Sequence, residues 1–488
     1  MLLSYQLRLE AKWDNGSPVL ARDVAFTLKV MNCPGLPIEL DQAQFGFIRD
    51  IRLDAQDPRR FTLVCAGRSP DHVQQSGDFS ILPEYILDPQ GQLRPLTVAA
   101  VRQAGTAAGV VADFARRYRS LDLSRHPERL PGCGAYVVSS WQPGRYLTLQ
   151  RKSAWWADRL PAPPPQLQAV PRRITYHVIP DAATATLALR RGEIDLYSMM
   201  PAGEFARLQQ SAADRARLRF YTTPSYEFLT STFNVRQPAL RDRRTRQALS
   251  YLFDVQGLIK AVEKGNAYPT ASLISPAIKP YYNDSLPLPT YNQAQAVQLL
   301  QQAGWQRQSP DGHWVQLNGQ AAPLRLQLSI SYRAGEPAFE TVALQFRSAA
   351  AAVGIPVELR PLEATLLSQQ LRAGATDIAL RYIAGNPFSY DFTSFLHSEG
   401  FGAGNFTGFS TPASDQLIKE IAQADRTEEK ARLLRRFQRL LYQERPLLVL
   451  YYVQYRTAAA RALGTIPVSG LKPGYDVQRI GADSLATP

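Results

Sequence analysis

Apolar positions along this chain follow two periods, and the switches between them outline its elements. Period-two or continuous apolar runs predict strands at residues 60–66 (RFTLVCA), 145–151 (RYLTLQR), 173–180 (RITYHVIP) and 324–332 (LRLQLSISY). Residues 17–31 (SPVLARDVAFTLKVM) carry a helix signal. Ser17 is the predicted N-cap and Pro18 the first helical residue, with Val24, Leu28 and Met31 on one face. In residues 181–196 Asp181 caps a helix, Gly192 stops it, and Ile194 and Leu196 resume as strand. With residues 173–180 this predicts a βαβ unit and a parallel strand pair.

From residue 226 the alternation becomes regular. A strand reaching Phe233 and Asn234 feeds two amphipathic helices, RRTRQALSYLF and VQGLIKAV. A helix capped near Asn292 and stopped by Gly304 follows. After the strand at 324–332 comes a long helix ended by Gly354, then the strand IPVELRPL, the helix TLLSQQLRAG and the strand TDIALRYIAG. An irregular loop runs to about residue 411. Residues 414–444 read as one helix, and LLVLYYV (447–453) as a buried strand. Such alternation predicts an α/β fold, with helices packed on a mixed sheet. The proline-rich stretch PAPPPQ (161–166) predicts a stiff connection near a boundary.

Composition narrows the reading only a little. The 488 residues suffice for two or three domains, and 45% hydrophobic with 20% charged residues is ordinary globular usage. No apolar run approaches the roughly 20 residues that span a membrane. The net charge of +13 admits anionic partners, but the densest basic cluster, 241–246, is broken by Asp242 and runs into a helix. A solvated helix start explains it, and no nucleic-acid partner is expected. Cys33, Cys65 and Cys133 lie far apart, so a zinc site is not expected and one disulfide is the most that can form. There is no phosphate-binding loop, GxSxG or HExxH sequence, and the five histidines are scattered. Neither catalysis nor a cofactor is expected.

Five stretches, in order, resemble the family 5 extracellular solute-binding proteins of ABC importers, which bind peptides, nickel and related solutes. The fullest is 226–267, with Asn234, Pro238, Asp242, Arg246, Gln247, Ala248, Leu249, Asp254 and Ile259 in place. The others are Trp13 to Val24 (W-D-N-G-S-P with A-R-D-V), Gly132 to Gly144 (G-C-G-A-Y, Trp141, P-G), Ile179 to Asp195, and Asn405 to Asp415. The resemblance implies a two-lobed α/β Venus-flytrap fold that holds its solute in the cleft between lobes and closes about a hinge. It implies an extra first-lobe subdomain at 1–172 with its N-terminal part missing, a first-lobe core from 173–225 and 456–488, and a second lobe at 226–455. The partners implied are a peptide-like or other small polar organic solute and ABC permease subunits, with the protein a monomer. The implied location is the periplasm or, as a lipoprotein, the outer face of a membrane. Since the chain begins almost at the tryptophan motif with no signal sequence, an upstream in-frame extension encoding one is expected.

The same resemblance selects Tyr136, Tyr226, Asn234, Tyr382, Asn386 and Asp391 as ligand-binding residues. Structural alternatives stand beside them: core packing for Tyr136, structural hydrogen bonding for Tyr226 and Asn234, a helix cap for Asp391. Peptide-binding members carry an Asp that pairs with the peptide ammonium. Here Tyr382-Ile383-Ala384-Gly385 occupies that run, with glycine in place of the carboxylate and Asp391 as a substitute six residues on. A nickel or metal-chelate receptor, and a cytoplasmic ligand-sensing regulator carrying the same domain, are the competing readings.

Overall fold

The computed structural model describes residues 1–308, 312–317 and 323–481. The chain forms two compact units. One comprises Met1–Ile194, Arg461–Pro467 and Asp476–Pro488, the other Asp195–Ala460 and Val468–Tyr475.

The first unit holds two three-stranded antiparallel sheets. In one, β1 (Leu2–Gln6) and β2 (Ile48–Leu53) flank β3 (Arg60–Cys65). In the other, β4 (Tyr136–Gln142), β5 (Tyr146–Arg151) and β6 (Arg173–His177) pair in order. The helix Ala21–Val30 is buried on both sides, against the first of these sheets and against neighbouring helices. Ala21, Val24 and Leu28 pack with Phe61 and Leu63 of β3, while Phe26 meets Phe114 edge to face at 5.8 Å. This helix starts three residues later than predicted. Ser17 instead donates twice to Asn15 Oδ1 in a tight turn, and Pro18 bridges to Lys12. The start is fixed by Asp23, whose Oδ2 accepts from the Leu20 N–H at 2.9 Å and the Trp13 indole at 3.3 Å, while Oδ1 takes the Glu84 N–H at 3.3 Å. Trp13 is thereby buried against the helix entry, which accounts physically for the spacing of the tryptophan motif.

The expected parallel pair around residues 173–196 does not form. Asp181 caps the helix Ala182–Arg191 and Gly192 ends it at positive φ, as predicted. Its flanking strands join different sheets, however. β6 pairs antiparallel with β5, and β7 (Leu196–Tyr197) pairs antiparallel with β16 (Leu447–Ala460) of the second unit. A βαβ pattern specifies the helix between two strands, not their common sheet.

The second unit is built on β7, β8 (Leu218–Phe233), β9 (Ala267–Pro269), β13 (Leu328–Arg333), β14 (Val357–Leu362), β15 (Ile378–Ala384) and β16 (Leu447–Ala460), in the order β14-β13-β15-β8-β16-β7 with β9 on β16. Short β10 (Gln306–Arg307), β11 (Trp314–Gln316) and β12 (Leu324–Arg325) make a separate sheet. The predicted strand at 324–332 is therefore two strands, β12 and β13, in two sheets. β13 is parallel to β14 and β15, and β8 is antiparallel to β15 and β16. One face of the large sheet carries Leu229, Phe233, Ile330 and Leu380 under the helix Pro337–Ala352, with Phe253 stacked on Phe346 at 4.4 Å. The other face carries Phe228, Val449 and Tyr452 under the helices Pro412–Gln423 and Thr427–Glu444. Coverage on both faces makes Leu328–Tyr332 buried at every position rather than alternately. Residues 414–444 split at 424–426, where Ala424 turns extended and Thr427-Glu428-Glu429 start a second helix. The break lets Ile418, Ile421, Leu434 and Phe437 reach one cluster, which a single straight helix would not allow.

Candidate functional site

The order β14-β13-β15 places a topological switch inside the second unit. The chain leaves β13 for β14 on one side, then returns through the helix Ala364–Ala373 to β15 on the other. In open α/β sheets, ligands settle at the carboxyl ends of strands beside such a switch. At that end β13 finishes at Arg333 and β15 at Ala384, and antiparallel β8 contributes its early residues.

Tyr382 is the centre of this edge. It pairs with Leu229 of β8, which pairs in turn with Tyr451 of β16, so the two tyrosines flank one leucine across three strands. Phe339, from the first turn of the helix Pro337–Ala352, tilts onto the Tyr382 ring with centroids 5.0 Å apart. Gly335, at φ +79, supplies the backbone turn that carries β13 into that helix. Burial holds the Tyr382 phenol protonated well above its usual range. The carboxylates of Glu263, Glu336 and Glu227 add to the effect, and only Arg456 opposes it. Tyr451 is pushed up by burial and then by Tyr382 and Glu263, and Tyr455 by burial and then by Glu227. Behind the tyrosines, Arg456 and Glu263 form a fully buried ion pair at 2.7 Å, with the Asn266 carbonyl as a further acceptor for Arg456.

Glu227 lies beside Tyr382. It pairs with Ala384 across the β8–β15 ladder, and its carboxylate accepts from Lys472 Nζ at 2.6 Å. Periodicity could not pair these two, since they lie 245 residues apart. The sequence signal for Glu227 was a lone carboxylate within residues 218–233. For Lys472 there was none.

The six residues selected from sequence are distributed as follows. Tyr226 and Tyr382 are half-buried at this edge, and the Tyr226 carbonyl accepts from Gly385 N–H at 2.7 Å. A Cβ on Gly385 would meet that same carbonyl at 2.9 Å, so backbone proximity keeps the position free of a side chain. Asn386 is exposed, and its side chain accepts from Phe388 N–H at 2.9 Å. Asp391 is exposed and accepts from Thr393 N–H at 2.8 Å, at the start of the helix Thr393–Leu396. Asn234 is buried at the far end of β8, donating to the carbonyls of Gly374 and Thr376, both at 3.0 Å. Tyr136 belongs to the first unit, where it donates to the Pro171 carbonyl at 2.9 Å and burial raises its phenol to about 12. Near it, in the same unit, a cavity of about 730 Å³ is lined by Trp13, Trp155, Trp156, Cys133, Val137 and Lys152, among others.

The remaining motif residues are structural. Arg246 is buried, and its guanidinium reaches the carbonyls of Leu240, Arg241, Glu444 and Arg445; burial lowers it to about 10, opposed by Glu444 and Asp242. Asp242 caps the helix Arg243–Ser250, which agrees with a helix start rather than a phosphate patch. Asn405 spans the carbonyls of His397 and Phe409. The three cysteines are free. Among the described residues, no group of three His, Cys, Asp or Glu side chains is placed to hold a metal ion, and no helix is long and apolar enough to cross a membrane.

The fold is that of the bacterial solute-binding proteins. AppA of Bacillus subtilis, solved with a nonapeptide, superposes with a TM-score of 0.75 at 18% identity, covering 98% of this chain and 86% of AppA. NikA of Brucella suis, solved with Fe(III)-EDTA, gives 0.73 at 18% identity over 98% and 88%. Residues 3–404 match the bacterial extracellular solute-binding proteins, family 5, and the chain belongs to that family. By sequence it is 23% identical to the oligopeptide-binding protein AppA of Bacillus subtilis (strain 168), over 66% of this chain and 56% of that one. It is 26% identical to the nickel-binding periplasmic protein of Escherichia coli (strain K12), over 72% and 64%. The chain thus spans less than two thirds of the length of these relatives.

Proposed function

We infer that this chain is the solute-capturing receptor of an ABC importer, and that its solute is peptide-like or another small polar organic molecule. It works at the outer face of a membrane, in the periplasm or held there by a lipid, and passes its solute to permease subunits. The observation that carries the reading is the edge of the second unit at the β13–β15 switch. Aromatic rings (Tyr382, Phe339), phenols and a carboxylate converge there at the carboxyl ends of parallel strands. Tyr382 and Asn386 are assigned to the solute, with Tyr226 and Asp391 nearby. The nonapeptide complex of the Bacillus subtilis neighbour supports the peptide reading, and the Fe(III)-EDTA complex of the Brucella suis neighbour makes a metal chelate the alternative to test beside it.

The test is direct. Protein purified without refolding is denatured in acid and the released small molecules are identified by mass spectrometry. Stripped protein is then titrated calorimetrically with alanine tri- to pentapeptides and with a nickel–histidine complex. Peptide in the released fraction and a peptide Kd of about 1 μM or tighter are expected, a range that corresponds to roughly 8 kcal/mol. Binding of the nickel complex with no response to peptides overturns the reading.

A further inference from the structure

The pair Glu227–Lys472 joins a nearly buried carboxylate of the large sheet to an ammonium that solvent reaches. Glu227 is nearly buried, its side chain 10% exposed, inside β8 at the point where the ladder to β15 ends. Its backbone is fixed by Ser225, whose hydroxyl accepts the Glu227 N–H at 3.1 Å and donates to the Val453 carbonyl at 2.7 Å. Lys472 is the only hydrogen-bond partner of this carboxylate among the described residues, and its side chain is 51% exposed. The carboxylate is therefore positioned by the sheet, while its counter-ion is a long side chain that solvent reaches.

Lys472 also arrives from elsewhere in the chain. It sits in Val468–Tyr475, which belongs to the second unit although the residues on either side, Arg461–Pro467 and Asp476 onward, belong to the first. This segment is a small closed hairpin. Val468 bridges to Tyr475, Ser469 N–H donates to the Gly474 carbonyl at 2.9 Å, and the Pro473 carbonyl accepts from Ser198 at 2.8 Å. It lies directly on β8: a Cβ on Gly470 would meet the Pro224 carbonyl at 2.4 Å. The hairpin thus presents one ammonium to one carboxylate at the edge where Tyr382 and Phe339 converge.

We propose that the Glu227 carboxylate is the ammonium-recognition point of this receptor, and that Lys472 is a tethered stand-in which the ligand's amino group displaces. The proposal rests on the solute-receptor reading above and names the chemistry of its ligand: a molecule with a primary ammonium next to an apolar or aromatic portion. Exchanging one ammonium for another leaves the charge at Glu227 unchanged, so the buried carboxylate is never unpaired. Released Lys472 moves into water at little cost, because half of its side chain is already solvated. Gly385, where a carboxylate cannot be added without shifting the Tyr226 carbonyl, leaves Glu227 as the carboxylate built into the sheet at this edge.

Two experiments separate this proposal from the reading on which it rests. The first is chemical rescue without peptide. Lys472→Met leaves Glu227 unpaired, so millimolar n-butylammonium chloride is expected to raise its Tm above that in equal sodium chloride. Lys472→Met combined with Glu227→Gln is expected to show no such rise. The second titrates trialanine and N-acetyl-trialanine into wild type, Lys472→Met and Glu227→Gln, each first checked for native circular dichroism. Lys472→Met is expected to bind trialanine roughly tenfold more tightly, since the internal competitor is gone. Acetylation is expected to weaken binding at least tenfold in wild type and to make little difference in Glu227→Gln. Absence of rescue by n-butylammonium, or equal binding of free and acetylated peptide by wild type, overturns the proposal while leaving peptide binding intact. Rescue with no peptide binding by any variant supports the ammonium point and overturns the peptide reading instead.

Discussion

At the scale of single residues, the positions that carry the family resemblance turn out to be hydrogen-bonding hubs. Asp23 is an example. Three donors, the Trp13 indole and the Leu20 and Glu84 amides, converge on a carboxylate that the fold has buried. Burial is the largest influence and raises its pKa; the hydrogen bonds from Leu20, Trp13 and Glu84 pull the other way without cancelling it. A carboxyl that is a weaker acid when folded binds its proton more tightly in the native state, so its contribution is fully present below the ordinary aspartate range. It is lost as pH rises through the raised native value. Asp23→Asn keeps one acceptor oxygen and removes the titration. The stability of wild type relative to Asp23→Asn is therefore expected to fall between about pH 4 and the raised native value, and to be flat above it. Urea unfolding of both proteins at half-unit pH steps checks this. A relative gain by wild type with rising pH would mean that the hydrogen bonds outweigh burial.

At the scale of elements, Arg246 ties two helices together. It lies in the helix Arg243–Ser250 and donates to Glu444 and Arg445, where the helix Thr427–Glu444 ends in a left-handed turn at Arg445. The last carbonyls of a helix have no partner within it, and here a guanidinium nearly 200 residues away supplies one. Lysine has no planar fork to reach carbonyls on both sides, so Arg246→Lys is expected to cost about 2 kcal/mol and Arg246→Ala about 3 kcal/mol or more. Unfolding followed by a probe within the second unit measures both, and a loss below about 0.5 kcal/mol for either variant would remove the arginine from this role. The arginine itself was legible in the sequence as part of a motif, but its partner was not. The same division holds elsewhere. Asp181 with Gly192, and Asn292 with Gly304, mark helix ends through local chemistry, and those ends were read correctly. The parallel pairing expected around residue 185, the unbroken helix at 414–444 and the single strand at 324–332 failed because each depends on which distant surface covers the segment. The site shows it most plainly. Tyr382 stood out by its motif, whereas Glu227 acquires meaning only beside Ala384 and Lys472, which the sheet and the hairpin bring to it.

At the scale of the whole molecule, the chain divides its hydrophobic content into separate cores. The clusters around Phe61 and Phe114 draw only on residues before 131, within the first unit, and those around Phe346 and Phe437 only on residues between 228 and 455, within the second. Each unit then carries its own main source of stability, since burial of apolar side chains is the dominant favourable contribution to folding. Phe114 and Phe346 are both fully buried, and truncating either to alanine leaves a cavity that costs about 3 to 5 kcal/mol. The two losses are expected to be local. Native-state hydrogen exchange should show Phe114→Ala lowering protection in the helices Ala21–Val30 and Val110–Ser120 while β13 and β15 keep theirs. Phe346→Ala should do the reverse. Equal loss of protection in both units from either substitution would show one cooperative core instead of two. Locality has a consequence for the ligand as well. If Glu227 receives the ligand's ammonium, trialanine added to wild type should raise protection first in β8, β15 and the hairpin Val468–Tyr475. Stability gained by binding is felt where the bound state differs from the free one, and that hairpin is the segment whose lysine the ligand replaces.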